Sequence, residues 1–185
     1  MTPHSTVGDV TGPGNLDWQP VVPDLVADAV TAALGAWPRA ADAAVAPIDA
    51  DLADTAAFCE QYAVELDDSA NCVVIAGRRE GVTRYAACVV LATTRADVNG
   101  VVRRRLDVRK ASFAPMADAV SLTGMEYGGI TPIGLPAEWP VLIDAAVLAR
   151  DVVVIGSGLR RSKIALPSSA LADLPTAEVI EGLAS

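Results

Sequence analysis

The distribution of short apolar runs is the feature that most restricts the fold of this chain. Helical spacing of apolar residues or a plausible cap predicts helices near residues 24–34, 54–62, 98–106 and 116–122. Helices and strands alternate without a regular βαβ rhythm, and two strand pairs have the spacing of hairpins. The pattern therefore predicts a mixed α/β (α+β) domain with a curved sheet. The apolar runs of strand type lie at 72–76, 85–92, 141–143, 152–155 and 163–166.

The chain has 185 residues, a length that favours one domain. Residues 1–20 contain several Gly and Pro residues without helical or strand periodicity, which predicts a mobile tail before a single domain at 21–185. Mean hydropathy is +0.37, but no apolar run approaches the ~18 residues of a membrane-spanning helix. The start of the chain also lacks the pattern of a secretory signal. We therefore expect a cytoplasmic protein without a membrane partner.

The scarcity of histidine excludes the commonest hydrolase chemistry. The one histidine, His4, lies in the predicted tail, whereas a Ser-His-Asp or Cys-His mechanism needs a fixed imidazole. Cys59, Cys72 and Cys88 are widely spaced and include no CxxC pair, so no zinc site of the usual spacing is predicted. We interpret them as small buried thiols and expect neither a metal nor a cofactor.

Charge is distributed unevenly along the chain. The net charge is -9, but residues 1–77 carry -11 and residues 78–163 carry +5. The basic middle is compatible with a phosphate-bearing partner, whereas the acidic whole argues against strong nonspecific binding to DNA or RNA. The pattern thus permits a nucleic-acid partner without requiring one.

A glycine-rich loop at residues 123–134 carries the densest chemical signature. The adjacent Gly128 and Gly129 allow positive φ and expose backbone amides, and Pro132 biases Thr131 toward extended geometry. Such amides can bind a carbonyl or phosphate oxygen without a charged side chain. The same residues also describe an ordinary surface turn. The loop is neither a Walker loop nor a GxGxxG fingerprint that opens a helix.

The order of motifs after this loop resembles the YbaK/prolyl-tRNA editing-domain family, whose members remove mischarged amino acids from tRNA. That family's pattern reads roughly Thr-Gly, Gly-Gly-Ile-Ser/Thr-Pro-Ile/Leu-Gly, Ile-Asp and Gly-Gly. The resemblance is most specific over 123–158 and extends more loosely from residue 54 to residue 174. The pattern is met by Thr123-Gly124, by Gly128 through Gly134, by Ile143-Asp144, and by Gly156-Ser157-Gly158.

The resemblance implies a fold, a substrate and a set of site residues. The fold would be a strongly bent, barrel-like mixed sheet packed with helices, with a cleft for the aminoacylated 3′ end of tRNA. Gly128 and Gly129 would contact the aminoacyl ester through their backbone. Asp144 would line the pocket and receive the substrate α-ammonium, or would instead cap the turn after its strand. Further substrate contacts are expected at Thr131, Pro132, Gly134, Gly156, Ser157 and Gly158.

The family lysine is missing at its expected position. In the family this lysine begins the strand after the second helix, where this chain has Asn71. Asparagine donates a hydrogen bond but brings no charge. Lys110 and Lys163 fall in other elements, so neither is a local substitute by sequence. Two hypotheses follow: a metal-independent aminoacyl-tRNA deacylase in which Asn71 orients the substrate, or a non-catalytic relative that binds tRNA or another ligand.

Overall fold

The fold is built from two β-sheets whose strands interleave along the chain. A computed structural model describes residues 12–185, so the predictions for His4 and for the first part of the tail lie outside the described residues. The first sheet has the strand order β1-β2-β8-β7, and the second has the order β5-β3-β4-β6-β9. The strands are β1 Gln19–Pro20, β2 Ala44–Pro47, β3 Ala70–Arg79, β4 Val82–Leu91, β5 Ala111–Phe113, β6 Val141–Asp144, β7 Val152–Gly156, β8 Ser162–Pro167 and β9 Ala177–Ile180.

Strand direction makes the second sheet mixed. β3 and β4 form a long antiparallel hairpin, whereas β6 lies parallel to both β4 and β9. The sheets meet where Ser69 forms an isolated parallel bridge with Val154 of β7. The predicted mixed α/β class is confirmed, although the two sheets do not close into a barrel.

Helices cover the sheets and are mostly short. The α-helices are α1 Asp28–Ala36, α2 Thr55–Tyr62, α3 Arg103–Leu106, α4 Met116–Thr123 and α5 Ala145–Leu148. Short 3₁₀ segments lie at Pro23–Leu25, Ala40–Asp42, Ala50–Leu52, Leu66–Asp68 and Ser168–Asp173, and a π-turn at Val98–Val102 leads into α3. Among residues 12–185 no helix is long and apolar enough to cross a membrane.

The main core lies between the first sheet, the second sheet and α1. It is made of fully buried aliphatic side chains that include Val30, Val45, Ile143, Ile155 and Leu171. Each comes from a different element, so burial of these side chains joins the two sheets and the helices into one hydrophobic core.

The last part of the predicted tail packs on the domain. The amide of Asn15 donates to the carbonyl of Tyr62 at 2.9 Å, and the Trp18 indole packs in a cluster with Phe58. Gln19 and Pro20 pair with β2. The end of the predicted tail thus lies against the domain, where the apolar side chains of Leu16 and Trp18 are partly buried.

Candidate functional site

A cavity of about 280 Å³ opens where the two sheets meet. It lies near the lower end of the range for small-molecule sites, about 300–1,000 Å³. Its walls come from the start of α2, the first half of β3, the end of β7, Lys163 of β8 and the glycine-rich loop. The lining residues are Ala53, Asp54, Thr55, Ser69, Ala70, Asn71, Cys72, Val73, Val74, Phe113, Ala114, Ala119, Tyr127, Gly128, Ile130, Val154, Ile155, Gly156 and Lys163.

Backbone hydrogen bonds hold the glycine-rich loop against the turn after β7. The amide of Glu126 donates to the Gly158 carbonyl at 2.9 Å, and the amide of Gly158 donates to the Gly129 carbonyl at 2.7 Å. The Glu126 carboxylate accepts from the amide of Arg160 at 2.9 Å. These backbone hydrogen bonds and the burial of Met125 and Ile133 together hold the loop in place.

Gly156 allows the loop to approach β7 closely. A Cβ at this position would lie 2.5 Å from the Gly129 carbonyl oxygen and 2.7 Å from that of Ile130. Both contacts are with backbone atoms, which cannot rotate away as a side chain can. Glycine is thus required at this end of β7 because of space and not because of φ.

The amides available in the cavity differ in part from those predicted. The amide of Gly129 donates to the Glu126 carbonyl at 2.9 Å, so it is already used within the turn. Gly128 and Ile130 line the cavity, and their amides donate to no acceptor among residues 12–185. Gly128 has φ +88°, a conformation that favours glycine. Gly128 and Ile130 are therefore cavity-lining residues of this loop whose amides are not used within it.

Lys163 is a buried cation in the wall of the same cavity. Its side chain is 8% exposed, and its ammonium donates to the Ala53 carbonyl at 3.0 Å and lies 5.1 Å from the centre of the Phe58 ring. Burial lowers the pKa of Lys163 to about 8, with nearby Cys59 and Asp54 opposing that effect and Arg160 adding to it. An ammonium with such a pKa titrates near physiological pH.

Lys163 lies in another element than Asn71, as the sequence indicates, but the structure brings both residues to one cavity. Lys163 pairs with Gly156 across the β7–β8 ladder, and Lys163, Gly156 and Asn71 line one cavity. The signal in the sequence was a single charge at the start of the otherwise apolar run 163–166. The sequence does not reveal this proximity, because Asn71 and Lys163 are far apart along the chain and lie on different sheets.

Asn71 occupies the position at the start of β3 and contacts α2. Its side-chain oxygen accepts a hydrogen bond from the Thr55 hydroxyl at 2.7 Å. This contact leaves the amide –NH₂ group of Asn71 as the donor that can face a ligand in the cavity. The side chain is therefore positioned by the first turn of α2.

Asp144 does not line the cavity. It is buried at the end of β6, where the amides of Leu183, Ala184, Ala145 and Ala146 face its carboxylate and favour its charged form. Burial outweighs these amides and raises the pKa of Asp144 above its ordinary value. Of the two roles considered for it, the local structural one agrees with this placement, whereas the pocket-wall role does not.

Asp54 is the one carboxylate that lines the cavity within residues 12–185. It stands at the N-cap of α2, but its side chain accepts no capping hydrogen bond and is 82% exposed. The guanidinium of Arg160 lies 3.9 Å from it. Sequence reasoning used residue 54 only as a helix start, so this carboxylate was missed.

Most of the remaining predicted contact residues lie outside the lining of the cavity. Gly156 lines the cavity, but Thr131, Pro132, Gly134, Ser157 and Gly158 do not. Ser157 is fully buried, and its hydroxyl lies 2.6 Å from that of Ser162. Gly134 has φ +86°, and a Cβ there would lie 2.5 Å from the Ala29 carbonyl oxygen, which shows how closely the loop packs on α1.

Cys72 is the one cysteine of the three that lines the cavity. It is half-buried, whereas Cys59 and Cys88 are buried. Burial raises the pKa of the Cys72 thiol well above its ordinary value. The thiol is therefore protonated at neutral pH and is not a thiolate nucleophile. Among residues 12–185 no three His, Cys, Asp or Glu side chains are grouped to hold a metal ion.

Fold and site together define a mixed α/β domain with a small cavity of mixed polar and apolar lining at a sheet junction, where Lys163 is buried. The chain belongs to the aminoacyl-tRNA editing domain family, whose model matches residues 49–174. The predicted family resemblance is confirmed by this match. It spans α2 through the end of the 3₁₀ segment at Ser168–Asp173 and includes every residue that lines the cavity.

Solved structures share the fold at low sequence identity. A protein proposed to be a trans-editing enzyme for prolyl tRNA synthetase has a TM-score of 0.72 at 20% identity, over 87% of this chain and 97% of that one. A hypothetical protein has a TM-score of 0.72 at 18% identity, over 85% of this chain and 100% of that one. A scaffold used for computational epitope backbone grafting has a TM-score of 0.72 at 21% identity, over 87% and 97%. No curated protein matches the chain significantly.

Proposed function

We propose that the chain is a trans-acting aminoacyl-tRNA deacylase that hydrolyses the ester of a mischarged tRNA in the cavity at the sheet junction. Membership of the editing-domain family and the likeness to a proposed trans-editing enzyme support the substrate class. The observation that carries the proposal is the presence of one buried ammonium, Lys163, in the same cavity as the amides of Gly128 and Ile130.

The proposed reaction relies on positioning and electrostatics. Water adds to the ester carbonyl, and the negative charge that develops on its oxygen is stabilised by the amides of Gly128 and Ile130. The bond between the carbonyl carbon and the ribose oxygen then breaks. One proton of the water passes to the ribose oxygen, the other is released to solvent, and the amino acid leaves as a carboxylate. Lys163 supplies the positive charge near the ester, and two of its three N–H groups remain beyond the bond to Ala53.

The α-ammonium of the substrate is assigned to Asp54. This carboxylate lines the cavity, is not used as a helix cap, and carries the charge opposite to that of an amino group. Asn71 would orient the ester through its –NH₂ group while Thr55 holds its oxygen. The role first considered for Asp144 therefore falls to the N-cap residue of α2.

Deacylation of Ala-, Cys- and Ser-charged tRNA by the purified protein tests the proposal. We expect turnover above buffer on at least one substrate and a loss of about 100-fold or more in Lys163→Met, because the removal of one stabilising charge from such a site costs about 3 kcal/mol. The double variant Asn71→Lys with Lys163→Met moves the ammonium to the family position. We expect it to regain part of the lost activity.

The alternative, a non-catalytic relative, is favoured by the uncharged Asn71. It predicts that tRNA binds while no charged tRNA is hydrolysed, and that the double variant also has no activity. Absence of turnover on all three substrates would reject the deacylase proposal, and tRNA binding would then support the alternative.

A further inference from the structure

The two exposed aromatic side chains of residues 12–185 lie at the same cavity. The chain has three Trp, three Tyr and two Phe, all within those residues. Only Phe113, which is 64% exposed, and Tyr127, which is 53% exposed, present most of their surface to solvent. Both line the cavity that contains Lys163. Contact of an aromatic ring with water is unfavourable and its burial by a ligand or partner is favourable, so the placement of both rings at one cavity points to a ligand contact.

Both rings are carried by backbone that is held in place. Phe113 lies in β5, whose residues pair with β3 in register Ile75↔Phe113. The carbonyl of Tyr127 accepts a hydrogen bond from the Arg160 guanidinium at 3.2 Å, and the next residue but one, Gly129, closes the turn with Glu126. The rings are thus exposed without being on freely moving segments, which lowers the entropic cost of covering them.

Phe113 also lines a second groove, of about 510 Å³, that continues from the cavity. The groove and the cavity share Asn71, Val73 and Phe113. Arg95 lines the groove and forms no ion pair with another residue of 12–185. Asp97 also lines the groove, but its carboxylate accepts hydrogen bonds from the amides of Gly100 and Val101. A ring that stands between a small cavity and a larger groove with an unpaired basic side chain is suited to a ligand that has a small group joined to a larger anionic chain.

We propose that Phe113 and Tyr127 form a stacking platform for the 3′-terminal nucleobase of the RNA, and that the strand leaves along the groove toward Arg95. Unpaired bases stack on aromatic rings regardless of sequence, since every base has a π-face. The terminal ribose carries both the base and the ester, so a base on this platform brings the ester to the cavity. This inference rests on the proposed function for its choice of ligand.

Binding of two uncharged RNA hairpins with an unpaired 3′ end tests the platform, since it needs no hydrolysis. One hairpin has a normal 3′-terminal residue, and the other has an abasic residue there but the same sugars and phosphates. We expect Phe113→Ala and Tyr127→Ala each to weaken binding of the normal hairpin about tenfold. We expect the abasic hairpin to bind wild type about tenfold more weakly, with no further loss in the variants.

Conservative variants separate stacking from apolar contact. Phe113→Tyr keeps a ring and should bind like wild type, whereas Phe113→Leu should behave like Phe113→Ala. Val82→Ala is the matched surface control, because Val82 is 61% exposed and lies outside the lining of the cavity and the groove. It should leave both affinities unchanged.

Three results would overturn the platform. They are unchanged affinity in both alanine variants, an equal loss for the normal and the abasic hairpin, or a wild-type dimer that Phe113→Ala converts to a monomer. RNA binding with these base-dependent effects but without ester hydrolysis would reject the deacylase and keep the platform. Hydrolysis together with unchanged binding by the variants would reject the platform alone.

Discussion

At the scale of single residues, the burial of Lys163 links the cavity to the stability of the protein. Its folded-state pKa is about 8, against 10.5 for an ordinary lysine, because burial disfavours the charged form. The unfolded chain therefore binds more protons than the folded one between these values. The free energy of unfolding must therefore rise with pH between about pH 8 and pH 10.5. Below pH 8 it is lowered by the full cost of burying the charged ammonium.

We expect the free energy of unfolding of wild type, relative to Lys163→Met, to increase by up to about 3 kcal/mol from pH 8 to pH 10.5. Methionine keeps an unbranched side chain of similar length without the charge. Urea unfolding of both proteins at several pH values measures the difference. A difference that does not vary with pH would mean that Lys163 is solvated in the folded protein.

Two acids provide a matched pair at the same scale, since Asp54 lines the cavity and Asp144 does not. We expect Asp54→Asn to weaken binding of the aminoacyl substrate about tenfold with little change in stability, because an exposed carboxylate is easily replaced. Asp144→Asn should leave substrate binding unchanged. It should flatten the pH dependence of unfolding in the acid range, where the raised pKa of Asp144 lowers stability as pH rises. Steady-state kinetics and urea unfolding check both.

At the scale of elements, local signals predicted those segments whose boundaries are determined by neighbouring residues. The helix at Thr55–Tyr62 and the hairpin of β3 and β4 are confirmed. The helix at Met116–Thr123 ends at Gly124, which has φ +68° as expected for a left-handed cap. β2 was missed because Ala44–Pro47 is short and alanine-rich, and it is a strand through its pairing with β1 and β8. α1 begins at Asp28 rather than at residue 24 because a 3₁₀ turn at Pro23–Leu25 precedes it.

The contact between the loop and β7 gives a prediction for one element. Gly156→Ala places a Cβ 2.5 Å from the Gly129 carbonyl, so the loop must move. We expect a loss of about 1–3 kcal/mol in stability and a marked loss of deacylation. Gly35→Ala in α1 is the control, because nothing lies within 4 Å of its Cβ, and it should stabilise the helix by up to about 1 kcal/mol. Thermal unfolding and activity of both variants test this, and equal behaviour would contradict it.

At the scale of the whole molecule, the cavity draws its walls from both charge regions of the chain. Asp54 and Asn71 come from the acidic N-terminal part, whereas the loop and Lys163 come from the basic middle of +5. In the proposed reaction, the acid-rich part would supply the carboxylate for the substrate ammonium, and the basic part would supply the groups that face the ester and the RNA phosphates. The net charge of -9 therefore describes neither the acidic nor the basic part of the cavity wall.

We expect RNA affinity to fall with salt, with a log–log slope of about -0.7 for each phosphate that the protein contacts. We expect Arg95 to contact one phosphate, so Arg95→Gln should make the slope shallower by about 0.7. Fluorescence anisotropy of the uncharged hairpin at several salt concentrations measures both slopes. An affinity independent of salt would exclude a backbone contact in the groove.

The sequence by itself determined the fold class, the family and the loop, because helix periodicity, turn residues and motif order are properties of neighbouring positions. It also identified Asn71, Gly128 and Gly156, which line one cavity. Only the tertiary structure decided that Lys163 and Asp54 line that cavity while Asp144 does not, and that Gly129 has no free amide. These outcomes depend on which strands meet at the junction of two sheets and on which hydrogen bonds the loop has already made. Neither is encoded in the spacing of residues along the chain.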